Sequence, residues 1–494
     1  MALASCLLIF ASSIFPLFAT IAFYRLYLHP CSKFPGPKLW AITRLPMGYN
    51  MYRGRLPYRI SELHEQYGPV VRVAPFDISF ITAEAWNDIY GKQPAKPQLQ
   101  KDPLSFLRRP EEVNDILFEP DDIEHGRMRR NFSHAFSEKS LREQEPIISL
   151  YIEKMVTRLR EVCEEPVDMS AWLNFVTFDI IGDLTFGDSF GCLESGKLHR
   201  WVENLFTWVS AIARLGMTQR FWPLSYILMF LTPKEMRESE RYHRAMTKEK
   251  LDKRLNNPTP RSDFMSAVQK FVDRPYGLTY KEVFQSCAIF MVGGSETTAT
   301  AFSGMIYYLL RSPSVYSKLV TEIRSTFNDA SEITMAGVQS LDNTLAVINE
   351  GLRLVPPLPG NLRRVTPPEG WSVCGWNVPG NTLVAVDMYS IGHSSANFHE
   401  PEKFVPERWM SDPPAEFAND KLKVIQSFSV GPRNCIGKNL AMMEMKMLMA
   451  QLMFNFDFEI VPESVGWLEG LKVYGFFQRT PLMVKLTPVA GLKA

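Results

Sequence analysis

Ten residues toward the C-terminal end carry the most chemistry in this chain: Phe428-Ser429-Val430-Gly431-Pro432-Arg433-Asn434-Cys435-Ile436-Gly437. They set one cysteine just ahead of a helical pattern, inside a loop with two glycines and an arginine. A helix N-terminus offers free backbone N–H groups and a positive dipole end, and both favour a thiolate over a thiol. Gly431 and Gly437 have no side chain, so the backbone can approach a flat ligand closely. Phe428 can shield the sulfur from water, and Arg433 can reach a carboxylate. These are the requirements of a thiolate ligand to haem iron. Taken alone, Cys435 reads as well as a buried structural thiol. Structural zinc fits poorly, because it needs clustered ligands and the nearest other cysteine is Cys374.

A second cluster is Gly293-Gly294-Ser295-Glu296-Thr297-Thr298, within a run that predicts a helix over about 280–311. Two adjacent glycines weaken a helix by about 1 kcal/mol each relative to alanine. One reading makes them tolerated glycines at a packing contact. The other makes them a local break beside a ligand, with Glu296 and Thr297 as an acid and an alcohol side by side. Splitting the O–O bond of dioxygen needs protons delivered to its outer oxygen, and such a pair can deliver them. Glu350-Gly351-Leu352-Arg353 sets an acid and a base three apart on one helix face. His125-Gly126-Arg127-Met128-Arg129-Arg130 reads as a basic helical turn. His393 is one histidine in a loop with no partner at ligand spacing, and is read as structural rather than as a metal ligand.

The spacing Phe-x-x-Gly-x-Arg-x-Cys-x-Gly resembles the haem-binding signature of the cytochrome P-450 family. All its marked positions match: Phe428, Gly431, Arg433, Cys435 and Gly437. The resemblance runs over about residues 30–490. It implies a mainly α fold with small β-sheets, haem b held by the Cys435 thiolate, and a monooxygenase using O2 and NADPH-derived electrons. No nicotinamide or flavin fingerprint is visible, so the electrons would come from a partner, NADPH–cytochrome P-450 reductase. By the same resemblance Arg433, Arg129 and Arg364, assisted by His125, meet the haem propionates. Arg363 departs from the proline usual beside that last arginine. Thr297 hydrogen-bonds the dioxygen being activated and Glu296 relays protons. Glu350, Arg353 and Arg408 (the last in Pro406-Glu407-Arg408-Trp409) form a buried ion-pair triad. Arg127, Arg130, Lys438 and Lys446 supply a basic face for the reductase. The Phe-Pro-Gly-Pro linker at 34–37, the run 129–137 and Pro-Glu-Arg-Trp are similar to filamentous-fungal secondary-metabolite monooxygenases. Two other functions stay open. One is a haem-thiolate isomerase or dehydratase acting on a peroxide, whose relatives tend to lose the acid–alcohol pair. The other is a haem sensor or electron carrier.

The elements that must position these residues are legible in outline. The chain has 494 residues, 46% hydrophobic and 22% charged, the composition of a globular protein. A net charge of +1 gives no reason to expect a nucleic-acid partner. The seven cysteines are odd in number and scattered, which argues for a reducing compartment. Residues 2–24 carry no charged side chain and match the length of one transmembrane helix, kinked at Pro16. Arg25, His29, Lys33 and Lys38 follow, which places the downstream chain in the cytosol. A cleaved signal peptide fits less well, lacking a basic start. The resemblance puts the single-pass anchor in the endoplasmic reticulum. The expected organisation is thus an anchor over 1–29 and a catalytic domain over 30–494.

Downstream, the pattern predicts a helix over 58–67, strands over 70–73 and 78–81, mostly helix from about 122 to 355, a strand-rich stretch over 362–388 and a last helix over 438–454. By position in the resembled family, Ile116-Leu117-Phe118, Phe290, Leu358 and Phe476-Phe477 line the substrate pocket. The stretch 201–231, with Phe221-Trp222-Pro223-Leu224, reads either as helix core or as a lid that dips into a membrane. Both readings favour a lipophilic small-molecule substrate.

Overall fold

The computed structural model describes residues 15–490 apart from 94–95, 105–113, 202–209, 211–213, 215–219, 221–233, 258–260, 361 and 479. Most of the expected lid and residues 1–14 of the expected anchor therefore lie outside the described residues. Among the described residues no helix is long and apolar enough to cross a membrane.

The fold is mainly helical, with four small sheets among the described residues. Its axis is the helix Tyr280–Leu310, which starts at a capping box. The Thr279 side chain accepts from Glu282 N–H while the Glu282 carboxylate accepts from Thr279 N–H, so two otherwise orphaned donors are satisfied. Against it packs Met169–Phe186, buried along almost its whole length. Its apolar residues fall on every face, so it has no solvent side to present, and its buried Asp179 and Asp183 are answered by the N–H groups of Phe190, Cys192 and Leu193 and by the Tyr151 hydroxyl. It ends at Gly187, whose φ of +71° is the left-handed conformation a helix C-terminus commonly takes.

The largest sheet has five strands in the order Val70–Ala74, Asp77–Phe80, Leu383–Val386, Arg364–Val365, Gln100–Lys101. Asp77–Phe80 and Leu383–Val386 run parallel, with Asp77 opposite Leu383; the other neighbours are antiparallel. The expected strand pair falls within a residue of its observed ends, and the last helix runs Lys438–Asn455.

The expected triad forms, and it is larger than expected. Glu350 accepts from Arg353 at 2.7 and 2.8 Å and from Arg408 at 3.1 Å, all three side chains wholly buried. Asp420 also pairs with Arg408, so two acids balance two bases. Trp409 Nε1 and Val405 N–H donate to Glu350 at 2.9 Å, and Arg353 spends its remaining donors on the carbonyls of Gly392, Pro401 and Lys403. A buried ion cluster is tolerable when most of its lone pairs and protons are satisfied in this way, and here Arg408 Nη2 is the one guanidinium nitrogen of the cluster left without an acceptor. His393 is buried beside it, stacked on Tyr389 at 3.8 Å, and burial pushes its ring pKa down to about 3.

Candidate active site around Cys435

The cysteine loop is shaped by two left-handed residues, Ser429 (φ +59°) and Gly431 (φ +77°), and by Cys435 N–H donating to the Phe428 carbonyl at 2.9 Å. Gly431 serves a purpose other than the one expected. A Cβ there would fall 2.0 Å from the Tyr90 carbonyl oxygen, so the glycine lets the loop lie against protein backbone. Gly437 fits the expectation better: its nearest neighbours to a Cβ are Phe136 at 3.9 Å and the Cys435 sulfur at 4.0 Å. Phe428 is half-buried against the main core, and Lys438 Nζ lies 5.9 Å from its ring centre.

Cys435 is the one exposed thiol among the six described cysteines. It is nevertheless recessed, with protein on most sides. Burial pushes its pKa up, opposed by Gly437 N–H and by the charges of Arg129 and Lys438. Two arginines tie its loop to the helix Asp122–Ser133, which Asp121 caps by accepting from the N–H groups of Ile123 and Glu124. Arg129 donates to the Asn434 carbonyl at 2.7 Å and to its side-chain oxygen at 2.6 Å. Arg433 donates to the Glu119 and Pro120 carbonyls at 2.6 and 2.9 Å and to Asp122 at 2.7 Å. Two of the three arginines expected to meet propionates thus brace the loop. Arg364 is buried, lies 5.3 Å from the Tyr90 ring centre, and has no acceptor among the described residues. Its neighbour Arg363 points elsewhere, toward the Met47 sulfur. His125 is buried, and burial together with Arg433, Lys101, Arg129 and Arg364 pushes its pKa down to about 3, so it is neutral.

On the central helix the hydrogen-bonded turns run unbroken through Gly293 and Gly294, so the expected local break is absent. Gly294 is a packing glycine: a Cβ would meet Ile181 Cδ1 at 2.6 Å. Gly293 has nothing within 4 Å of a Cβ and is exposed. The Thr297 hydroxyl donates to the Gly293 carbonyl at 2.7 Å, and buried Glu296 accepts from Thr300 at 3.3 Å.

A thiol reachable from outside, an uncovered Gly437 beside it and a buried guanidinium lacking an acceptor fit haem: iron at the sulfur, porphyrin carboxylates at the basic wall. The cytochrome P450 family model matches residues 34–482. The chain belongs to the cytochrome P450 family. Its relatives include cytochrome P450 monooxygenase astA of Talaromyces wortmannii, 42% identical over 95% of this chain and 94% of that one. Averantin hydroxylase of Dothistroma septosporum is 39% identical over 95% and 89%. Cytochrome P450 monooxygenase lcsI of Purpureocillium lilacinum is 40% identical over 95% and 91%. The protein is a cytochrome P450 monooxygenase.

Two expectations about this P450 need correction. Phe290 is core: it packs edge-on against Phe132 at 5.0 Å and near Phe136 and Phe264 at 5.6 and 5.9 Å. The four-residue basic face does not form as a unit. Arg127 is paired with Glu124 and Glu282, and Lys446 is buried with its pKa lowered by burial, leaving Arg130 and Lys438 exposed. Sequence reasoning missed Lys101, Asp420 and Thr300. Their partners are remote in sequence for the first two, and Thr300 showed only as one of several hydroxyl residues in the central helix.

Proposed function

We propose that Cys435 holds haem b as a thiolate and that the protein hydroxylates or epoxidises a lipophilic small molecule in fungal secondary metabolism. When bound, thiolate-ligated haem supplies the activation of O2 and the transfer of one oxygen atom. The chain's own residues do the rest. Arg364 neutralises carboxylate charge at the basic wall, and Gly437 leaves the approach to the sulfur clear. Thr297 offers a hydroxyl already oriented by its bond to Gly293, and the Glu296 carboxyl stands next to it as the proton source. The reading is carried by one observation: the single exposed cysteine among the described residues lies in the signature loop, beside the positive charges of Arg129 and Lys438.

Electrons reach the site from NADPH through a separate reductase. Residues 1–24 anchor the chain as a single pass in the endoplasmic reticulum, with the catalytic part cytosolic; the charge-free run followed by Arg25, His29, Lys33 and Lys38 supports this. The intact Glu296–Thr297 pair favours oxygenation over isomerase, dehydratase or sensor roles. The test is the ferrous–carbon monoxide spectrum. The parent protein should give the strongly red-shifted Soret band of thiolate ligation and Cys435→Ala should lose it; a Cys435→Ala protein with haem and that band intact would overturn the reading. Protease added to sealed microsomes should digest the catalytic part; protection until detergent is added would reverse the orientation.

A further inference from the structure

The five-stranded sheet carries charge on both faces. Lys101 and Arg364, opposite each other in the ladder, stand on one. Side chains alternate along a strand, so Arg363 and Asp102 stand on the other, where the Asp102 N–H extends the ladder by donating to the Arg363 carbonyl at 3.3 Å. Register puts Asp77 on this second face as well: it pairs with Leu383, and Leu383 pairs with Val365, two places along from Arg363. Arg44 grips Asp77 with both arms of its fork, and Arg220 pairs with Asp102. Arg363 is the odd member. It is half-buried, and among the described residues its guanidinium donates to the Met47 sulfur alone, at 3.8 Å. A thioether is a weak acceptor and carries no charge. Three bases therefore stand over two acids. The imbalance is felt at Arg220, where burial and then the Arg363 charge push the pKa down to about 10, against Asp102 and Asp77. An added anion would relieve it.

We propose that Arg363 binds a carboxylate of the substrate, so that the lipophilic molecule this enzyme takes is an acid. This rests on the function proposed above and narrows it. The guanidinium fork matches the two oxygens of a carboxylate, and a fork with uncommitted donors is free to take them. One carboxylate brings the cluster to three bases and three acids, whereas a doubly charged phosphate would overshoot. The surroundings suit an apolar body. The helix Leu45–Tyr52, which supplies Met47, leaves Leu45, Tyr49 and Tyr52 exposed. Arg363 also continues the segment at Leu358 expected to line the substrate pocket, so a molecule held by its acid group can extend along that segment. Because Arg363 and Arg364 stand on opposite sheet faces, an acid bound at the first does not compete with the cofactor for the second.

The experiment is calorimetric titration of the holoprotein with two lipophilic acids of different shape, dodecanoate and dehydroabietate, each against its methyl ester. It is run on the parent, Arg363→Gln, Arg363→Lys and Arg142→Gln, the last an exposed arginine paired with exposed Glu138. The parent should bind at least one acid more tightly than its ester. Arg363→Gln should weaken that acid roughly 10- to 100-fold, the change expected for losing a charge-assisted hydrogen bond, and leave the ester unchanged. Arg363→Lys should return part of the loss, because an ammonium keeps the charge but not the fork. Arg142→Gln should behave as the parent. The ester is the control for folding, since a damaged pocket weakens both members of a pair. A parent that prefers neither acid to its ester would overturn the proposal, as would an Arg363→Gln protein that keeps the preference or loses acid and ester alike. Binding is read as heat, so its outcome is separate from the ferrous–carbon monoxide spectrum: a parent without the red-shifted band would overturn the haem reading, and a parent with the band but no acid preference would overturn the role of Arg363 alone.

Discussion

Thr297 and Glu296 are adjacent in sequence, yet the helix holds them differently. The Thr297 hydroxyl is half-buried and bonded back to Gly293, whereas the Glu296 carboxyl is buried and tied one turn on to Thr300. An alcohol held this way has its proton committed and its lone pairs available to accept; in the proposed relay it would orient the neighbouring group, and Glu296 would supply the proton. Thr297→Ala should therefore bind substrate nearly as well as the parent but form less product per NADPH consumed, the remainder appearing as peroxide. A positioned proton donor contributes about 10²–10⁴ in rate, so the product-to-NADPH ratio is a sensitive measure; an unchanged ratio would remove Thr297 from the relay. A different acid, Glu444, lies in the interior of the helix Lys438–Asn455, and burial alone pushes its pKa up to about 8. A carboxyl held above its unfolded value stabilises the fold fully at low pH, and the advantage is lost as pH rises toward and through about 8. Glu444→Gln should accordingly match the parent in denaturant midpoint at pH 5 and exceed it at pH 8. Equal midpoints at both values would show that this carboxyl ionises freely.

At the scale of elements, the two glycines of the central helix make opposite predictions. Gly294→Ala drives a methyl into Ile181 across the contact with Met169–Phe186, and overpacking of this kind typically costs about 1–3 kcal/mol. Gly293→Ala meets nothing within 4 Å and should gain about 1 kcal/mol from helix propensity. Denaturant unfolding of the two variants side by side checks the pair, and a stabilised Gly294→Ala would contradict the close packing described here. The cysteine loop shows the same economy of purpose. Gly431 is required by the Tyr90 backbone, and Arg129 and Arg433 link loop and helix in both directions, so the Cys435 sulfur is positioned by contacts within the protein.

For the whole molecule, the Glu350–Arg353–Arg408–Asp420 cluster joins the helix Asp342–Leu354 to the helix Met388–His393 and to the segments at 401–409 and 420. Each charge in it is buried and each is answered. Arg353→Met removes one base and leaves Glu350 short of charge in the interior, a change that costs about 3–5 kcal/mol in comparable sites. The expected outcome is poor yield and a large drop in denaturant midpoint, whereas replacing exposed Arg142, paired only with exposed Glu138, should shift the midpoint little. A mild effect at Arg353 would mean water reaches the cluster.

The cysteine loop, the acid–alcohol pair, the Glu350–Arg353 spacing and most element boundaries were legible in the chain because each is local: a few residues at fixed offsets dictate a turn, a helix face or a ligand geometry. The family resemblance rested on the same short segments. What tertiary structure decided is who answers whom across long separations. Arg433 and Arg129 have their donors filled by Glu119, Asp122 and Asn434, Phe290 is enclosed by three other rings, and Arg127 is neutralised by Glu282. Lys101 meets Arg364 only because a short antiparallel ladder brings positions far apart in the chain to one sheet face. No local pattern encodes such a meeting, because Coulomb and hydrogen-bond energies depend on distance in space, and that distance is set by the packing of the whole fold.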